Sequence, residues 1–184
     1  MNQNELNPIR VSLDIVLKPL EPSDAVDIFN TIDSQRDYLG KWLPFVKYTK
    51  VFGDTEAFVK MMIEPHFEER EHTFVIQYKG VFAGLIGYVR SDRSNKKTEI
   101  GYWLSEGFQR KGIITDSVKA LLGLAYNELG FNRVQIKCAV GNVRSKKIPH
   151  RLGFKLEGIE RDGELLNEGD FTDIEIYSKL KNDK

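Results

Sequence analysis

The run Gln-Arg-Lys-Gly-Ile-Ile-Thr at 109–115 sets two cations and a glycine just ahead of a long amphipathic stretch. The first backbone N–H groups of a helix have no intrahelical partner, and the helix dipole favours an anion beside them. Gly112 permits a close backbone approach or a positive φ. The stretch therefore suits a phosphate cradle, although a plain strand–helix connection explains it as simply. It lacks the glycine count and Lys-Ser/Thr ending of a Walker A loop, and it lacks G-x-G-x-x-G. A second stretch, Gly-Asn-Val-Arg-Ser at 141–145, opens another helix, with Asn142 as a good N-cap and Ser145 in the first turn. A third, Thr-Glu-Ile-Gly-Tyr-Trp-Leu at 98–104, reads as a strand. Its alternation puts Glu99, Gly101 and Trp103 on one face and Ile100, Tyr102 and Leu104 on the other. Glu99 is then either a general base or an exposed strand carboxylate facing Lys96 or Lys97.

The remaining reactive side chains carry weaker signals. Tyr38, Trp42 and Phe45 lie in the aromatic run "YLGKWLPF", which on its own reads as a hydrophobic anchor for neighbouring helices. Lys146, Lys147, His150 and Arg151 form a basic helix face, ordinarily a solvated one. His66, His72 and His150 have no H-x-x-x-H or cysteine spacing, so no metal is expected. Cys138 sits mid-strand and reads as core rather than nucleophile.

The elements that must position these groups follow from periodicity. "DIVLKPL" reads as a strand, and "EPSDAVDIFNTI" as a helix starting near Pro22 and Ser23 with Ala25, Ile28, Phe29 and Ile32 at helical spacing. "DTEAFVKMMIEPHFEER" is a second helix, with Asp54 or Thr55 as cap and Pro65 near its end. "HTFVIQY" and "VFAGLIGYVRSD" form an antiparallel pair turning at Gly80. A helix over 113–129 carries Ile114, Val118, Leu121, Leu122, Ala125 and Leu129 on one face and stops at Gly130. "RVQIKCAV" is a strand, "NVRSKKIPHRL" a short helix that Pro149 should kink, and "GFKLEGIERDG" and "FTDIEIYSKL" are closing strands. The order β-α-α-β-β-β-α-β-α-β-β predicts one α/β (α+β) domain on a central mixed, mostly antiparallel sheet. One crossover makes 98–104 and 133–140 a parallel pair. Phosphate loops commonly follow the first strand of such a pair, which is where 109–115 lies.

Composition narrows the class. The 184 residues suit one domain with a full core. Hydrophobic content is 41% and charged content 29%, as in ordinary globular chains. Twenty-seven cations balance 27 acids, so nothing in the overall charge argues for nucleic acid or a membrane surface. The lone cysteine excludes an intrachain disulfide and fits a reducing compartment. No targeting segment or membrane-length apolar run is visible, so a cytoplasmic protein is expected.

Taken together, "EIGYWLSEGFQRKGIITDSVKALL" and "RVQIKCAVGNVRSKKIPHRLGFKLEG" resemble the GCN5-related N-acetyltransferase (GNAT) superfamily, within it the RimJ/RimL-like ribosomal-protein N-terminal acetyltransferases. The resemblance runs from about "IVLKPLEPSDA" to the end, and residues 1–184 are expected to form one such domain with helices on both faces of the sheet. Its most specific part is the coupling of Gln-x-x-Gly after "IGYWL" with Asn-x-x-Ser and "LGF" further on. It implies that Gln109, Arg110, Lys111, Gly112, Ile113, Ile114 and Thr115 cradle the acetyl-CoA pyrophosphate through backbone amides. Family members carry glycine or alanine where this chain has Ile114, which should narrow the cradle. It also implies Asn142 near the pantetheine arm, Ser145 near the thioester sulfur, and a free N–H near Trp103–Leu104 that polarises the carbonyl. Many members protonate the leaving thiolate with a tyrosine seven residues after the asparagine; Pro149 stands there, which leaves Ser145 or a water it holds. On this resemblance Glu99, or second Glu106, is expected to take the amine proton, Tyr38, Trp42 and Phe45 to shape the acceptor slot, and the basic helix face to reach the adenosine 3′-phosphate.

The implied activity is acetyl transfer from acetyl-CoA to a primary amine, foremost the α-amino group of a ribosomal protein. An acidic cleft would favour a polyamine instead, and an open groove a peptide. Other small amines are alternatives, as is a non-catalytic acyl-CoA-binding module. Related enzymes often self-associate, so a homo-oligomer is a further expectation.

Overall fold

The computed structural model describes residues 7–64, 72–166 and 169–183. Period-two alternation of apolar side chains builds an eight-stranded sheet: β1 (Ile9–Arg10), β2 (Ile15–Pro19), β3 (Thr73–Tyr78), β4 (Val81–Asp92), β5 (Lys97–Leu104), β6 (Arg133–Ala139), β7 (Lys155–Leu165) and β8 (Phe171–Leu180). They lie in the order β1-β2-β3-β4-β5-β6-β8-β7. Every neighbouring pair is antiparallel except β5–β6, the crossover pair expected from the sequence.

The central strands β3, β4 and β5 send alternate side chains to two cores. Phe74, Ile76, Ile86, Tyr88, Ile100 and Ile136 pack under α4 (Ile113–Asn127), with Ile148 and Leu152 of the α5 (Val143–Arg151) segment against the same cluster. Val75, Leu85 and Trp103 point the other way, against Ile28 and Ile32 of α1 (Ala25–Ser34), Leu39 of α2 (Arg36–Gly40) and Val59 of α3 (Phe52–Ile63). Helices therefore cover both faces. Gly84 and Gly87 let neighbouring strands close up, since a Cβ at either would overlap a backbone carbonyl, of Trp103 or of His72.

Several local expectations need correction. The aromatic run from Tyr38 starts within the short α2 and ends in a 3-10 turn at Pro44–Lys47. Neither Asp54 nor Thr55 caps α3: the helix starts two residues earlier, and Asp54 Oδ2 accepts from the Lys50 and Val51 N–H groups at 2.7 and 2.9 Å, while Thr55 is buried. Pro65 and His66 lie outside the described residues. Helix α4 ends at Asn127 with Glu128 as its C-cap, earlier than expected, and Gly130 follows in the left-handed region with φ 73°. Helix α5 forms over Val143–Arg151 with Pro149 inside it, as expected.

Candidate active site

The β5–β6 ladder holds only over Lys97–Glu99 against Arg133–Gln135. Beyond Glu99, β5 stays paired with β4 as far as Leu104, and β6 stays paired with β8 as far as Ala139. The result is a wedge with Glu99 at its apex. The Trp103 carbonyl faces β4, so strand alternation turns the Leu104 N–H and C=O into the gap. The Tyr38 hydroxyl donates to that Leu104 carbonyl at 3.3 Å.

At the mouth of the wedge the chain makes a 3-10 turn, Glu106–Phe108, and then enters α4 through two left-handed residues. Arg110 has φ 63° and Gly112 φ 76°. The first helical bond is Asp116 N–H to the Gly112 carbonyl, which leaves the amides of Ile113, Ile114 and Thr115 without helical partners. A Cβ on Gly112 would meet only Asp116 Oδ2, at 3.6 Å, so the space above the glycine is open. Asn142 caps α5 as expected, accepting from the Ser145 N–H at 3.2 Å.

These elements enclose a cavity of about 890 Å³. Of the residues singled out in the sequence, Tyr38, Trp42, Trp103, Leu104, Gln109 to Thr115, Asn142 and Ser145 line it. Lys41, Arg110, Lys111, Arg144, Lys147 and Arg151 also line it, with no carboxylate among the described lining residues. Such a one-sided charge, set between low-dielectric walls, concentrates anions. The Lys111 ammonium is held 5.1 and 5.2 Å above the Tyr78 and Phe108 rings. Arg151 Nη1 donates to Thr115 Oγ1 at 2.8 Å and so ties the end of α5 to the start of α4.

Other expected members fall elsewhere. Phe45 is 40% exposed and does not line the cavity, because the Pro44 turn sends Val46 inward in its place. Ile114 does not simply crowd the cradle: its side chain is buried in the core cluster while the residue borders the cavity. The basic face of α5 divides by helical period. Lys147 and Arg151 face the cavity, whereas Lys146 turns to Glu175 Oε1 at 2.8 Å and His150 Nε2 sits 3.2 Å from the Tyr177 hydroxyl. Glu106 is exposed and its backbone N–H donates to Gln35 Oε1 at 2.9 Å, so its place is the turn, not the cavity.

Glu99 is part-buried at the apex, set back from the cavity without lining it, and Gln135 Nε2 donates to it at 3.3 Å. Burial raises its carboxyl above the usual carboxylate range, with Lys137, Arg90 and the Gln135 bond pulling the other way. Glu164 of β7 is raised as well, by burial first and by the Glu99 charge second. The sequence had no signal for that influence, which joins residues far apart in the chain. Two further contacts were missed. Arg144 Nη1 donates to Gln109 Oε1 at 2.6 Å, while Gln109 Nε2 donates to the Tyr38 hydroxyl, so one glutamine bridges α2 and α5 across the mouth. Trp42 also closes over Gly141, where a Cβ would come within 2.9 Å of its ring.

Residues 14–155 match the family model described as an acetyltransferase (GNAT) domain. The chain belongs to the GNAT acetyltransferases. It is 37% identical over 174 residues to the putative ribosomal N-acetyltransferase YdaF of Bacillus subtilis, covering 94% of each chain. Among solved structures it superposes on RimL, a ribosomal L7/L12 α-N-protein acetyltransferase solved with coenzyme A, with a TM-score of 0.88 and 29% identity over 95% of this chain and 98% of that one. The microcin C7 self-immunity acetyltransferase MccE, solved with acetyl-CoA and AMP, matches with a TM-score of 0.87 and 31% identity over 94% and 95%. This GNAT chain is thus an acetyl-CoA-dependent N-acetyltransferase, and its cationic cavity with open amides at α4 suits a polyphosphate-bearing cosubstrate. No helix among the described residues is long and apolar enough to cross a membrane, and no group of metal-ligating side chains occurs among them.

Proposed function

We propose that this enzyme acetylates the α-amino group of a protein N-terminus, a ribosomal protein being the acceptor suggested by the names of YdaF and RimL. The observation that carries the reading is the lining of the cavity. It combines aromatic walls from Tyr38 and Trp42 with cations and no carboxylate among the described residues, so it offers a polycationic amine nothing to pair with. The same reading takes residues 1–184 as one domain working in the cytoplasm.

In this account the amides of Ile113, Ile114 and Thr115, with Gln109, Arg110, Lys111 and Gly112 shaping the turn, hold the pyrophosphate. Asn142 sets the start of α5 beside the pantetheine arm. The Leu104 N–H, on the free side of β5 after Trp103, polarises the thioester carbonyl. Ser145 donates toward the departing sulfur. Glu99, set back at the apex, removes the amine proton through a water. A free α-amino group has a pKa of about 8, so roughly a tenth is already neutral at pH 7 and a modest base suffices.

Incubating the enzyme and acetyl-CoA with unacetylated ribosomal proteins, followed by intact-mass and peptide spectrometry, tests the acceptor. One acetyl added at an N-terminal residue supports it. Acetylation confined to lysine side chains, or none at all despite turnover of small amines, overturns it. The likeness to MccE keeps a small-molecule acceptor as the second reading, which that last result would favour.

A further inference from the structure

In an α-helix the Ser145 carbonyl accepts the N–H of residue 149, and here that residue is proline, which has none. This part-buried carbonyl, deprived of its helical partner, is open to another donor. The donor comes from the sheet. The Tyr102 hydroxyl of β5 lies 3.3 Å from the Ser145 carbonyl oxygen and 3.1 Å from Ser145 Oγ. A single phenolic proton can thus be shared between two acceptors of one residue.

The neighbours keep that proton in place. Burial raises the Tyr102 phenol well above its ordinary pKa, so it remains a donor. Cys138 Sγ lies 3.2 Å from Ser145 Oγ, and burial pushes that thiol up to about 11, so it too stays neutral. When the Tyr102 proton is directed at Oγ, the Ser145 proton is left to meet the Cys138 sulfur. A thiol sulfur is a weak acceptor. The hydroxyl proton is therefore readily turned toward a sulfur in the cavity that Tyr102 and Ser145 both line. A donor bonded behind it also polarises the hydroxyl and strengthens its own donation.

We propose that Tyr102 is the positioning residue for the leaving-thiolate donor: Pro149 frees the Ser145 carbonyl, the phenol anchors there, and from that anchor it orients and polarises the Ser145 hydroxyl. The inference rests on the assignment of Ser145 above, and the test separates the two. Steady-state kinetics are measured for Tyr102→Phe, Ser145→Ala, their double variant and Tyr102→Phe/Pro149→Ala, with CoA affinity by calorimetry alongside. Tyr102→Phe should lower kcat up to about tenfold, the worth of one hydrogen bond, with KM for acetyl-CoA and CoA affinity unchanged. Ser145→Ala should lower kcat further, and the double variant should be no slower than Ser145→Ala, because Tyr102 acts through that hydroxyl. Returning an N–H to the orphaned carbonyl in Tyr102→Phe/Pro149→Ala should leave kcat low. Recovery of kcat there would reduce Tyr102 to a structural partner and overturn the proposal, as would additive losses or full activity in Tyr102→Phe. If Ser145→Ala itself is fully active, the fault lies in the Ser145 assignment instead.

Discussion

At the α4 end of the cavity the donors are backbone amides of three consecutive residues, released by a left-handed glycine. At the Tyr38–Trp42 end the wall is made of side chains from α2, its following turn, β5 and α5, linked through Gln109 and Arg144. A backbone site depends on local conformation and tolerates many side chains around it. A side-chain site depends on where distant elements happen to cross. The contrast fits a division of labour in which one end grips a constant cosubstrate and the other can vary with the acceptor. Breaking each end should therefore damage a different kinetic constant.

The largest effect belongs to the backbone end. Gly112→Trp adds a bulky side chain where the space is open, and at φ 76° it also adds about 1–2 kcal/mol of backbone strain. CoA affinity should fall at least about a hundredfold, which blocked amides and a filled cradle would produce, while circular dichroism stays native. Calorimetry with unchanged affinity would remove the cradle assignment.

Next comes the apex. Glu99→Gln should lower kcat about 10- to 100-fold, within the usual range for a general base, and leave KM for acetyl-CoA alone. The pH dependence carries the sign. As the proposed base Glu99 works ionised, and burial raises its pKa, so activity should climb with pH through a value above the ordinary carboxylate range. In Glu99→Gln that acidic limb should vanish, and only the rise from deprotonation of the amine itself should remain. A variant that keeps the limb points to another carboxylate, with Glu164 the neighbour to test.

The contrast between the two ends also explains what could be read beforehand. The stretch 109–115 was legible because Gly112, the following helix and the strand before it are consecutive, and their geometry is locally determined. The Arg110 left-handed conformation carried no such signal. Phe45 was misplaced because adjacency to Trp42 says nothing about direction once Pro44 starts a turn. The α5 cations could have been divided correctly, since 144, 147 and 151 share a face by a 3.6-residue period. The Glu99 charge felt at Glu164, and Trp42 over Gly141, depend on packing across many residues of chain. No local pattern encodes them.

Gly141→Ala tests the side-chain end directly. Its Cβ would sit 2.9 Å from the Trp42 ring, so the indole must shift by a few tenths of an ångström. The acceptor KM should rise several-fold, on the order of 1 kcal/mol of lost packing, with acetyl-CoA KM unchanged. An effect on acetyl-CoA alone would place Trp42 on the cosubstrate side and redraw the division.

Arg151→Ala should have the smallest effect and sharpens the contrast most. The guanidinium lines the cavity and bonds Thr115 Oγ1 at 2.8 Å, beside the amides proposed as the cradle. It is exposed, and an exposed charge interaction contributes up to about 1 kcal/mol, roughly fivefold in affinity at low salt. That contribution is screened over a Debye length of about 8 Å at physiological ionic strength. CoA affinities of the wild type and Arg151→Ala should therefore converge as salt rises, whereas the Gly112→Trp defect should persist. Amides buried against their ligand are little screened, and an exposed cation is. If Arg151→Ala instead costs as much as Gly112→Trp at every salt concentration, then side chains rather than backbone grip the cosubstrate, and the two ends of the cavity do not differ in kind.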